Sequence, residues 1–543
     1  MADLVLHGGA VFTVDAARSW ATGLAVDKGR IVAVATDGDA MDSWIDSNTE
    51  VISLGGRLVL PGFQDAHVHP PTSGLELLRC NLHGDNNRAS YLETVAAYAS
   101  GHPEEEWILG GGWAMDAFPG GTPTRGDLDR VVPDRPVFLM NRDGHGAWAN
   151  SRALAEAGLD RRTVDPADGR IERDSDGEAA GTLQEGAMEL VRRLVPPDTS
   201  ADYERGLAVA QDYLISLGIT AWQDANVTPE TEAAYRTLAG RGELTARVVG
   251  ALWWERSAGE EQIEGLIARR GRGPVGRFRP SSVKMMLDGV AENFTASMLD
   301  PYLGRDGRPT SNRGIDFIDP ELLLRYVTRL DAAGFQVHFH AIGDRAVRHA
   351  LDAVEAARKT NGWSDARHHI SHIQVVAAED LPRFRRLGVV ANGQPFWACN
   401  EGYQSELTIP FLGPERSARQ YPFQSLLRHG ATLAFGSDWS VSTPNPLLEI
   451  ETAVRRVSPA NRSADPFFPE ERVSLVEALR AFTLGSAFVN HRDHDTGSVE
   501  IGKLADLVVL DRDYPGRGGE LIGDARVDLT IIGGEVVFDR RAQ

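Results

Sequence analysis

Apolar and polar positions follow two rhythms along this chain. At the amino end, LVLHGGAVFTV, GLAVDKGRIVAVA and EVISLGGRLVLPG are short β-type runs broken at Gly-Gly or Lys-Gly turns. The carboxyl end has the same texture in GSVEIGKLADLVVLD and RVDLTIIGGEVVFD. Neither end supplies enough strands for a stable unit by itself. The pattern predicts one small composite β-sandwich domain built from residues 1–58 and 497–543.

Between the two ends, strand and helix patterns alternate, as they do in βαβ units. Eight segments read as strands: 58–69, 218–225, 245–252, 281–289, 335–344, 367–374, 389–395 and 432–440. Helical runs such as PELLLRYVTRLDAAG and DRAVRHALDAVEAARK separate several of them, and several helices end at Gly, the expected cap. The predicted fold class is α/β, a (β/α)8 TIM barrel over 59–496. Residues 70–216 fall between strands one and two. That is too long for a loop, so a structured insertion is expected there.

Polar residues collect at the carboxyl ends of these strands, where barrel active sites lie. His67 and His69 sit at i and i+2 of strand one, face the same way and can hold one metal ion. Lys284, His340, His372 and Asp438 end strands four, five, six and eight. Imidazole with carboxylate suits zinc and similar ions. A lone His-x-His is weak evidence for a metal, but such residues at five independently predicted strand ends are hard to explain otherwise. Lys284 is the odd member, since Lys⁺ has no lone pair and is costly to bury. It either snorkels to the mouth, pairs with Asp288, or carries CO₂ as a carbamate bridging two ions.

Other polar residues have plainer readings. His338 faces inward below His340 and reads as a core histidine, not a third ligand. His369 should face away from His372, and Asp224 and Asp344 read as helix N-caps. The glycine-rich 110–113 run fits no phosphate-binding pattern. His145, in NRDGHGAWANS, is either a helix-start histidine or a substrate-side group. Trp253, Trp254, Trp397 and Trp439 follow strands, while Trp113 and Trp148 lie in the insertion. Ordinary loop packing is one reading. The other is an aromatic mouth in which Trp113, Trp148, Trp253, Trp397 and Trp439 join His145 in binding a substrate with an apolar or aromatic group.

Charge and cysteine content narrow the partners. The chain has 56 Lys+Arg against 77 Asp+Glu, a net charge of −21, which disfavours nucleic acid and anionic membranes. The two cysteines, Cys80 and Cys399, cannot form a disulfide framework in 543 residues. The start lacks the flank and apolar run of a signal peptide, and no run approaches the ~18 apolar residues of a membrane span. A cytoplasmic protein is expected, with a small-molecule substrate and a homodimer as its candidate assembly.

The motifs LPGFQDAHVH, VKMMLDG, VHFHAIGDRA, HISHIQ and FGSDWSV resemble the amidohydrolase superfamily over residues 58–440, and the β-rich ends resemble that family's composite β-domain. HAIGDRA and NRDGHGAWANSRAL resemble the branch that includes N-substituted formamide deformylase. The resemblance implies that His67, His69 and Asp438 hold one divalent ion, most simply Zn²⁺. His340 and His372 would hold a second, with N-carboxylated Lys284 between them. Two ions about 3.5–4 Å apart can share a hydroxide and polarise a carbonyl. Asp438 would take the water proton and pass it to the leaving nitrogen. One ion also suffices chemically. The expected activity is hydrolysis of an amide-type C–N bond in a small N-substituted amide. Carbamates, esters or lactams would use the same atoms, and an idle metal-binding regulatory protein is the alternative from another class. Ser371 departs from the resemblance, since relatives tend to have Glu there.

Overall fold

A computed structural model describes residues 1–36, 38–84, 87–512 and 522–542. Its centre is a parallel eight-stranded sheet: β1 (Phe63–Val68), β2 (Ile219–Val227), β3 (Arg247–Trp253), β4 (Phe278–Met286), β5 (Gln336–Ala341), β6 (His369–His372), β7 (Val390–Gly393) and β8 (Leu433–Phe435), paired in sequence order. The barrel closes just past β8, where Asp438 N donates to His67 O at 2.8 Å and His69 N to Trp439 O at 3.1 Å. Every residue of β1, β5, β6, β7 and β8 is buried. That follows from a sheet covered on one face by helices and filled on the other by side chains.

The helices form where the 3.6-residue rhythm is strongest. Pro320–Ala332 starts at an Asp319 cap and buries Leu323, Tyr326, Val327 and Leu330 along one stripe. Asp344–Asn361 buries Ala346, Val347, Ala350, Leu351, Val354 and Ala357 and stops at Gly362, whose φ of 84° suits glycine. Asp224 and Asp344 are not caps. The helix after β2 is capped by Thr228, and Gly343 takes the cap position before Asp344. The two carboxylates instead accept bonds from Tyr235 and from Leu299 N.

All eight predicted strands are present, but the first segment divides at Gly62. Leu58–Pro61 pairs with Leu507–Leu510, and only Phe63–Val68 enters the barrel. A Cβ at Gly62 would collide with the Thr220 side chain, so the crossing between the sheets needs glycine.

The two ends of the chain share one eight-stranded sheet. It branches at Leu4–Phe12, which pairs with Trp20–Asp27, Glu50–Ser53 and Leu58–Pro61. Its arms enclose Leu6, Leu24, Val59, Leu507, Val509, Leu529 and Ile531 in one apolar cluster. Residues 513–521 of the carboxyl stretch lie outside the described residues. Deleting the chain from Gly497 would remove four of these side chains, Leu507, Val509, Leu529 and Ile531. At ~1.5–3 kcal/mol each, that is roughly 6–12 kcal/mol of burial, comparable with the ~5–15 kcal/mol stability of a whole domain. The truncated chain should therefore aggregate or melt at a much lower temperature. A monodisperse truncation with an unchanged melting temperature would contradict this.

Residues 70–84 and 87–216 form a second layer beside the barrel mouth. Their six-stranded sheet runs Gly169–Arg173, Ala179–Glu185, Gly146–Ala149, Val137–Asn141, Ile108–Trp113, Cys80–Asn81. The helices at its two ends, Pro70–Leu77 and Ser200–Ser216, touch at Gly74 and Gly206, where a Cβ on either would collide with the facing backbone. The insertion reaches the barrel's strand-end side chains at His145, whose ring lies 5.4 Å from that of His340. No helix among the described residues is long and apolar enough to cross a membrane.

Candidate metal centre

β1 delivers His67, buried, and the residue just past its end, His69, partly exposed, to Asp438 on the segment after β8. Their Nε2 atoms lie 3.3 and 2.9 Å from Asp438 Oδ1. Asp438 has φ 54°, a left-handed turn that brings its carboxylate over the barrel mouth. Donor atoms of His67, His69 and Asp438 all lie within 4.8 Å of one another, a set for one ion.

The other three residues surround this set unequally. His372 has φ 77°, which breaks the strand's in–out alternation. Ser371 faces into the barrel, yet His372 Nδ1 still comes within 3.8 Å of Asp438 Oδ2. That nitrogen is buried and has no hydrogen-bond partner. Leaving a buried polar atom unpaired costs ~1–3 kcal/mol, and a cation at this site would relieve it. Lys284 Nζ is buried 3.3 Å from His67 Nε2. It neither snorkels nor pairs with Asp288, whose oxygens are taken up by the backbone N–H groups of Ser297, Ile342 and Gly343. His340 sits edge-on to His372, ring centroids 4.4 Å apart, with its Nε2 turned 3.3 Å from Gly289 O.

Burial sets the charge states. It pulls His67 down to about 3, with Lys284 adding to the shift, and holds His340 and His372 well below the ordinary imidazole range. It also lowers Lys284 to about 7, against the opposing pull of Asp438 and Asp224, so a neutral amine is accessible near pH 7. Burial would raise Asp438, but His67 and His69 outweigh it and keep the carboxyl ionised. Neutral imidazoles, one carboxylate and an unpaired buried nitrogen suit a divalent cation.

His338 and His369 stack below the centre with ring centroids 3.9 Å apart. His369 bonds Gln223 at 2.9 Å. His145 reaches the mouth from the insertion, its ring 5.4 Å from that of His340. Burial would lower its pKa, yet the carboxylate of Glu185, 3.0 Å away, raises it to about 9 and keeps it cationic. Glu185 was not singled out from the sequence. It lies 40 positions from His145 and meets it only because their strands pair.

A cavity of about 600 Å³ opens beside the centre. Trp397 and Trp439 line it, and Trp397 stacks on His372 with rings 7° from parallel. Trp113 and Trp148 do not line it. They fill the insertion's own core, packed against Phe118, with their indole N–H groups donated to Leu139 O and Thr124 O. Trp253 is half-buried at the end of β3 and Trp254 is buried against Tyr326, whereas the cavity walls come from beyond β1 and β4–β8 and from the insertion. The sequence reading missed the cavity's polar wall, which includes Arg142, Asp143, Glu292 and Gln374.

A family model described as "Amidohydrolase family" matches residues 50–538. The chain is 32% identical to Protein LONG AFTER FAR-RED 3 of Arabidopsis thaliana, over 99% of this chain and 92% of that one. It is 28% identical to N-substituted formamide deformylase of Arthrobacter pascens, over 99% of both chains. A solved structure titled as an uncharacterized metal-dependent hydrolase from Pyrococcus furiosus superposes with a TM-score of 0.72 at 28% identity, covering 94% of this chain and 99% of that one. The chain belongs to the amidohydrolase family, and this match together with the superposition supports a metal-dependent hydrolase.

Proposed function

We propose that this enzyme hydrolyses the amide-type C–N bond of a small N-substituted amide bearing an apolar or aromatic substituent. The observation that carries this reading is the meeting, at one end of the barrel, of an ionised Asp438 and its two imidazoles with a cavity walled by Phe396, Trp397 and Tyr403. The named activity of the Arthrobacter relative supports the substrate class.

His67, His69 and Asp438 would hold one ion, and His340, His372 and Lys284 would hold a second if Lys284 is carboxylated. Zinc suits these donors. Such an ion supplies Lewis acidity, acidifying water and polarising a carbonyl. Asp438, ionised and at the mouth, takes the proton of the attacking water at a carboxylate oxygen and returns it to the departing nitrogen. That return is required because an amide anion is a very poor leaving group. The His145 imidazolium, fixed by Glu185, can donate to a substrate oxygen. Lys284, with a neutral amine accessible, is suited to carboxylation, which would turn it into an oxygen donor.

A screen of formamides, acetamides, carbamates, lactams and esters with zinc-reconstituted protein tests the reading. Turnover is expected on N-substituted amides, best with aromatic substituents. Activity confined to esters would overturn it. Trp397→Ala should raise KM for an aromatic amide about 2–12-fold, since one aromatic contact is worth ~0.5–1.5 kcal/mol. An unchanged KM would remove Trp397 from the binding surface.

A further inference from the structure

His67 turns two different faces to its surroundings. Its Nε2 looks toward Asp438 Oδ1 and Lys284 Nζ, each at 3.3 Å. Its Nδ1 lies 2.8 Å from Ser371 Oγ and 2.9 Å from His338 Nε2, and those two atoms are 2.7 Å apart. The three side chains are sealed from solvent, with exposures of 1%, 0% and 0% for His67, Ser371 and His338. No carboxylate is among the hydrogen-bond partners of His67 Nδ1 in the described residues.

We propose that Ser371 and His338 act together as a neutral positioning pair that fixes the His67 proton on Nδ1 and so presents the Nε2 lone pair to the metal. A histidine that offers Nε2 to a cation must carry its proton on Nδ1, and that N–H needs an acceptor. Ser371 Oγ is placed to accept it. A hydroxyl both accepts and donates, so Ser371 Oγ donates in turn to His338 Nε2, which places the His338 proton on Nδ1, a buried atom with no hydrogen-bond partner. His338 is held in turn by its stack on His369. The His369 ring is locked at both nitrogens. Gln223 Oε1 accepts from Nε2 at 2.9 Å, and the Asn392 amide, which also donates to Ala66 O, faces Nδ1 at 3.2 Å.

The arrangement has a chemical consequence. Ligand histidines are commonly oriented by a carboxylate or carbonyl, and a carboxylate draws on the Nδ1 proton and makes the ring a stronger donor. A Ser–His pair orients the ring without adding negative charge. A metal ion at this site would then be held by a less basic histidine and would keep more of its Lewis acidity. This rests on the proposed metal site, so the test needs one readout that does not depend on a metal.

Two measurements serve. In the metal-free protein, ¹⁵N chemical shifts of the His67 ring should report a single neutral tautomer protonated at Nδ1. In zinc titrations against a chromophoric chelator, Ser371→Ala should weaken affinity by about 10–100-fold. Ser371→Thr, which keeps the hydroxyl, should recover most of that loss. A wild-type ring protonated at Nε2 would overturn the proposal, as would native zinc affinity in a folded Ser371→Ala variant. If the wild type carries the Nδ1 proton but binds no zinc, the positioning pair stands and the metal reading falls.

Discussion

Asp438→Asn is expected to fold normally and to hydrolyse an amide about 10²–10⁴-fold more slowly, the scale of losing one acid–base group. The fold should survive because Asn matches Asp in shape and tolerates the left-handed backbone at φ 54°. The backbone bond from residue 438 to His67 O does not involve the side chain. The charge is what disappears. Asp438 is ionised because His67 and His69 outweigh the cost of its burial, and only the ionised form can take a proton from water. An amide oxygen can still contact an ion but cannot shuttle a proton. Turnover must be measured at saturating zinc with metal content checked, so that lost metal is not mistaken for lost chemistry. Near-normal turnover in the metal-loaded variant would show that another group moves the proton.

Lys284→Ala is expected to cost at least ~10²-fold in turnover, the scale of deleting one group that stabilises developing charge. The loss should come with a fall in bound metal. The motivating geometry is an amine buried 3.3 Å from His67 Nε2 and lowered by that burial to about 7. As an ammonium it would oppose any cation held at His67. As a carbamate it would offer two oxygens instead. Removing the side chain leaves a space of matching size, so acetate or propionate should partly restore both metal and activity. A variant with unchanged metal content and no response to these acids would leave Lys284 as a bare amine beside a single ion.

The barrel was legible because parallel strands buried on both faces read as dense apolar runs, and each of these runs stopped at a polar or glycine-marked end. The same punctuation drew attention to His67, His69, Lys284, His340, His372 and Asp438, because barrel active sites lie where strands end, and of these the structure gathers donor atoms of His67, His69 and Asp438 within 4.8 Å of one another. The Gly62 break was missed although Pro61-Gly62 is a turn signal, because apolar residues flank it on both sides. The left-handed backbones at His372 and Asp438 leave no trace in the pattern, as neither residue is glycine. Trp113 and Trp148 were misplaced because a tryptophan's chemistry is the same in a core and at a mouth. Only the insertion's fold decides between the two. Glu185 was invisible for a related reason: it meets His145 through strand pairing across 40 positions, which no local spacing rule reports.

The most direct test of the central claim is activity against metal content. The protein should be stripped by exhaustive chelation, its residual metal measured by elemental analysis, and turnover of an N-substituted amide followed as zinc is returned. The metal-free protein should be inactive, and activity should rise with zinc to a plateau, whereas His67→Ala and His69→Ala variants should fail to bind or respond. Full turnover in protein shown to contain no metal would contradict the account.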